Sequence, residues 1–131
     1  MFFTIDGVVY GVTDVHVHQG YSNSLVGTDQ GHDIAVLRLN REVVGVQPSP
    51  IYRGQLNVGQ SLTLVGYGAH PGDDSFGTKR TGTTPIDGVT PNLITWTYDG
   101  AHETTTVPGD SGSPQFVQTE TGEFAVASVA S

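Results

Sequence analysis

Cysteine is absent from this 131-residue chain, so no disulfide staples it and thiol redox chemistry is excluded. Cations are scarce: five Lys plus Arg stand against thirteen Asp plus Glu, a formal net charge of −8. Phosphate contacts need clustered cations, so neither nucleic acid nor anionic lipid is expected as a partner. Long apolar runs are missing too, and no window of about 18 apolar residues is there to span a membrane. The opening Met1-Phe2-Phe3-Thr4-Ile5-Asp6 lacks the basic region and apolar run of a secretory signal. No stretch of about eleven or more residues carries a 3.6-residue apolar period, which argues against amphipathic helices.

What remains is a chain of Gly (18 residues), Thr, Val and Ser, with apolar residues at 36 %. That is enough for one domain with a modest core. Alternating or short continuous apolar runs fall at residues 8–12, 15–18, 34–39, 62–65, 93–98 and 124–129. Between them stand turn clusters: Gly20-Tyr21-Ser22-Asn23-Ser24, Gln47-Pro48-Ser49-Pro50, His70-Pro71-Gly72-Asp73-Asp74 and Asp87-Gly88. Several short strands separated by turns predict an all-β sandwich or barrel.

Two windows carry chemistry. In Pro108-Gly109-Asp110-Ser111-Gly112-Ser113-Pro114 a hydroxyl sits between two glycines. Such a tight turn suits a nucleophile, with the amides of Gly109 and Ser111 free to hold an oxyanion. Gly112 allows close backbone approach. In His32-Asp33-Ile34-Ala35-Val36-Leu37-Arg38-Leu39 a carboxylate heads a strongly apolar run. Half covered by a core, Asp33 would be costly unless it accepts several hydrogen bonds. Orienting a histidine base is a role that justifies that cost.

Together these windows resemble the trypsin/chymotrypsin serine endopeptidase family, in its cysteine-free microbial type. The stretch 33–39 is similar to the family's aspartate motif, and 109–114 to its serine motif. Val65-Gly66-Tyr67-Gly68, Val17-His18-Gln19-Gly20-Tyr21 and the run 124–131 resemble intervening family segments. The resemblance implies a double antiparallel β-barrel, represented here in part: about 1–50 for the rest of the first barrel, about 51–131 for most of the second. The first barrel's opening strands and the closing strand and helix are expected to be missing. It further implies Ser111 as nucleophile and Asp33 as orienting acid, with the oxyanion held at Gly109 and Ser111. By the same resemblance Thr105 and Ser131 are expected to line the primary substrate pocket, and Asp110 and Gly112 to support the turn. The uncharged Thr105 argues against an Arg or Lys preference. In family members released from a precursor, the carboxylate at the position of Asp110 pairs with a new N-terminal ammonium, which Met1 does not supply. The implied partner is a peptide or protein substrate of a monomer, the implied location secreted or periplasmic, and no cofactor or metal is implied.

The family's catalytic histidine sits in an Ala-Ala-His context ahead of the aspartate, and none of His16, His18 and His32 matches it. His70 and His102 match no family position. The chain alone is therefore expected to be inactive. Two rivals stand beside this reading. One is a non-catalytic, protease-like binding module. The other is a metal site: His16 and His18 share a strand face with Asp14 nearby, and Asp73-Asp74 offers a thinner calcium site.

Overall fold

The computed structural model describes residues 1–22, 31–70, 72, 75–100 and 102–131, and the turn residues 23, 24, 71, 73 and 74 lie outside them. The described residues form strands and turns with no helix. They divide into two compact units, Met1–Pro48 and Ser49–Ser131.

The first unit is a three-stranded antiparallel sheet of β1 (Phe2–Ile5), β2 (Val8–Val17) and β3 (Ala35–Leu39), in that order. Asp6 and Gly7 both take positive φ (49° and 78°), the requirement of a two-residue hairpin turn whose twist matches its strands. This Asp-Gly turn makes a strand of β1, which is not among the runs picked out by apolar pattern. The two runs at 8–12 and 15–18 merge into one strand, kinked by a register shift between Val12 and Asp14. Tyr10 is buried under the Arg41 guanidinium, whose carbon lies 4.9 Å from the ring centroid. Arg41 also donates to the Val9 carbonyl at 2.9 Å. Most other apolar side chains of this sheet are exposed.

The second unit holds β4 (Ser61–Gly66), β5 (Arg80–Pro85), the short hairpin β6 (Gly88–Val89) with β7 (Ile94–Thr95), then β8 (Pro114–Gln118) and β9 (Phe124–Val129). The main sheet runs β5-β4-β8-β9, all antiparallel, and the barrel is not closed. Leu62 and Leu64 point to one face of β4, as a period of two requires, and bury against Ile86 and Val117. Each such side chain contributes about 1.5–3 kcal/mol on burial. Tyr52, Leu56, Ile94, Trp96 and Ala127 pack around that cluster.

The expected strand over 93–98 shrinks to Ile94–Thr95. The cause is Asp87, whose Oδ2 accepts from the Thr97 amide at 2.6 Å and draws the chain off the ladder. Gly88 of the expected Asp87-Gly88 turn belongs to β6 instead, because the Asp87 amide donates to the Thr95 carbonyl at 2.9 Å.

Candidate active site

The segment leading to the glycine-flanked hydroxyl is fixed at its start by the Thr104 amide, which donates to the Thr83 carbonyl of β5 at 3.0 Å. Two successive turns follow. The Asp110 amide donates to the Val107 carbonyl at 3.0 Å, and the Ser113 amide to the Asp110 carbonyl at 2.8 Å. Each turn has a glycine at its third position, Gly109 (φ 95°) and Gly112 (φ 82°), and the first has Pro108 at its second. These are the residues a type II turn demands. Gly109 is further confined, since a Cβ there would meet the Phe76 ring at 3.0 Å and the Gly68 Cα at 3.2 Å. The double turn leaves Ser111 exposed at the second position of the second turn. Neither its hydroxyl nor the amides of Gly109 and Ser111 bond to any described group. The exit is tied to the strand end, with the Gly112 amide donating to the Ala130 carbonyl at 2.7 Å and the Ala130 amide to the Ser113 carbonyl at 2.9 Å.

Asp110 turns the other way, into the protein, and is 9 % exposed. Its Oδ1 accepts from the Gly68 amide at 2.8 Å, and its Oδ2 from the Val107 amide at 3.0 Å. Two amides thus stand where the resemblance implies an ammonium. Its approach explains the Gly66-Tyr67-Gly68 pattern: a Cβ on Gly66 would overlap Asp110 Oδ1, and one on Gly68 would come within 2.6 Å of it. Arg80 holds the other side of Gly68, its Nη1 donating to the Gly68 carbonyl at 3.1 Å. The Ala69 amide adds a bond to the Pro108 carbonyl at 2.9 Å.

A cavity of about 450 Å³ opens behind the turn, lined among others by Leu64, Thr81, Thr105, Val107, Asp110 and Ala130. Thr105 lines this cavity, while Ser131 is an exposed neighbour of Ala130.

Asp33 belongs to the first unit and Ser111 to the second. Asp33 corrects one expectation: it is exposed, and it accepts no hydrogen bond from a described residue. The apolar run that it heads does not cover it, because Ile34 and Val36 are themselves 45 % and 66 % exposed.

A family model for the trypsin-like peptidase domain matches residues 4–125. The chain belongs to the trypsin-like peptidase family. No curated protein matches it. Membership supports a protease-type function acting on a peptide or protein.

Within this trypsin-like peptidase, two of the histidines ahead of Asp33 lie against each other. The His18 and His32 rings stack in parallel, centroids 4.6 Å apart, and His18 Nδ1 accepts from the Gly20 amide at 3.0 Å. His70 Nδ1 accepts from the Gly72 amide at 3.2 Å. Among the described residues no group of three or more His, Asp or Glu is placed to hold a metal ion, and Asp73 and Asp74 lie outside those residues. No helix among them is long and apolar enough to cross a membrane. Sequence reasoning missed Arg80, the cation that closes on Gly68. The spaced glycines at 66 and 68 were the available signal that something packs closely there.

Proposed function

We propose that the chain belongs to a serine endopeptidase, with Ser111 as the nucleophile that attacks the peptide carbonyl. The observation that carries this reading is the pair of glycine-dependent turns, which exposes the hydroxyl while the next carboxylate anchors the turn from below. The unbonded amides of Gly109 and Ser111 are suited to hold the oxyanion. Asp33 orients a histidine that accepts the serine proton, and this base comes from outside the present sequence. Thr105 lines the pocket for the substrate side chain, and its neutrality disfavours Arg and Lys. The enzyme acts as a monomer outside the cytoplasm.

Without its base a triad enzyme loses roughly 10⁴ to 10⁶ in acyl transfer, so this chain alone is inactive as a peptidase. A fluorophosphonate probe, followed by mass spectrometry, tests both parts. The expected result is slow, substoichiometric modification of Ser111, accelerated by added imidazole and absent from Ser111→Ala. Rapid stoichiometric labelling would show a base within the chain. Modification unchanged in Ser111→Ala would remove Ser111 as nucleophile. The exposed, unbonded Asp33 favours a second reading, a protease-like binding module, for which imidazole produces no adduct at Ser111.

A further inference from the structure

The end of β2 and the head of β3 are joined by two histidines whose rings lie flat against each other. His18 follows β2, and His32 precedes Asp33; the planes differ by 2° across the 4.6 Å between centroids. The backbone beneath them is tied as well. The His18 amide donates to the Ile34 carbonyl at 3.0 Å, the Tyr21 amide to the His18 carbonyl at 3.0 Å, and the Ile34 amide to the His32 carbonyl at 2.9 Å. Gly20 completes the arrangement. Its amide donates to His18 Nδ1, and a Cβ on it would come within 2.7 Å of His32 Cδ2. The two rings and the Gly20 backbone therefore pack as one unit.

This unit depends on charge. A ring nitrogen that accepts a hydrogen bond carries no proton, so the bond from Gly20 requires a bare His18 Nδ1. A proton there removes the acceptor of the Gly20 amide, and protonation of both rings sets two like charges face to face. Water reaches the pair, since His18 is exposed and His32 half-buried. The charged groups along its two strands are few. On β2, His16 and Asp14 follow His18 at every second residue, and Asp14 is engaged by Arg38 of β3 at 3.9 Å. At the head of β3, Asp33 adjoins His32, and the turn after His18 adds Gln19, Tyr21 and Ser22, none of them charged. Among the described residues that leaves Asp33 to offset an imidazolium, one carboxylate where the doubly protonated pair needs two.

We propose that the His18–His32 stack is an acid-released clasp on the segment that carries Asp33. Imidazole changes charge between about pH 5 and 8. At the upper end of that range the rings stack and Gly20 is bonded. At the lower end the stack opens, Gly20 loses its acceptor, and the head of β3 loses its side-chain tie to the end of β2. The consequence for Asp33 rests on its proposed role as the acid that orients the base: acid conditions loosen the segment that places it.

Nuclear magnetic resonance on the ¹³C,¹⁵N-labelled full chain, taken from about pH 8 to about pH 5, tests the clasp. Contacts between the His18 and His32 rings are expected at the upper pH and absent at the lower. The Gly20 and Asp33 amide signals should move together with that loss, while the Leu62 and Val117 signals of the second unit stay in place. His18→Asn keeps an acceptor for the Gly20 amide two residues on and removes the titrating ring, so it should reduce the pH-dependent shift of Gly20 at least threefold. Ring contacts that persist with both rings protonated would overturn the proposal, and so would a Gly20 shift of equal size in His18→Asn. Should that variant not fold, the ring contacts in the unaltered chain decide. None of these signals involves Ser111, so a failed fluorophosphonate reaction removes the role given to Asp33 and leaves the clasp standing.

Discussion

The two units use similar strands to opposite effect. In the first, Tyr10 is the one buried apolar side chain among the described residues, while Phe2, Val9, Val15, Val17 and Val36 are more than half exposed. In the second, Leu62, Ile86 and Val117 are fully buried and Leu64 nearly so. Apolar alternation alone does not make a core; a second layer has to be present to receive it. The second unit meets that need with Tyr52, Leu56 and the β6–β7 hairpin residues packed on the sheet.

That contrast can be broken by mutation. Leu62→Ala should have the largest effect, a loss of about 3–5 kcal/mol in urea unfolding followed by the single tryptophan, Trp96. A loss below 1 kcal/mol would mean that the second core is as loose as the first sheet. Asp110→Ala comes next, at about 2–3 kcal/mol, because two charge-assisted bonds vanish and the Gly68 and Val107 amides lose their acceptor. Gly112→Ala sharpens the same point at about 1–2 kcal/mol: nothing crowds a Cβ there, so the cost is the backbone conformation alone. Val36→Thr on the first sheet should change stability by no more than about 0.5 kcal/mol in the same assay. Hydrogen exchange gives the comparison without mutation, with the amides of β4 and β8 expected to outlast those of β3 by roughly a hundredfold or more.

The division between legible and hidden features follows the same physics. The run 124–129 becomes β9 to the residue, because its alternation faces a core on one side. β5, spelled Arg-Thr-Gly-Thr-Thr-Pro, gave no apolar signal; it is an edge strand whose buried polar residue is Thr84. β8 stayed hidden because Gln115 occupies an inward position that pattern reading reserves for an apolar residue. At the site, the glycines flanking Ser111 announced the turns, since only a positive φ explains them at that spacing. The anchoring of Asp110 was not readable, because its partners are backbone amides, which every sequence carries. Asp33 was misjudged in its surroundings for a related reason: an apolar run tells how a strand would like to be covered, and nothing about whether it is.

The Asp110 carboxylate ties the residues after β4 to the 107–110 turn through a main-chain amide on each of its oxygens. The hydroxyl-bearing corner is thus shaped by main chain that the end of β4 and the 107–110 turn bring together.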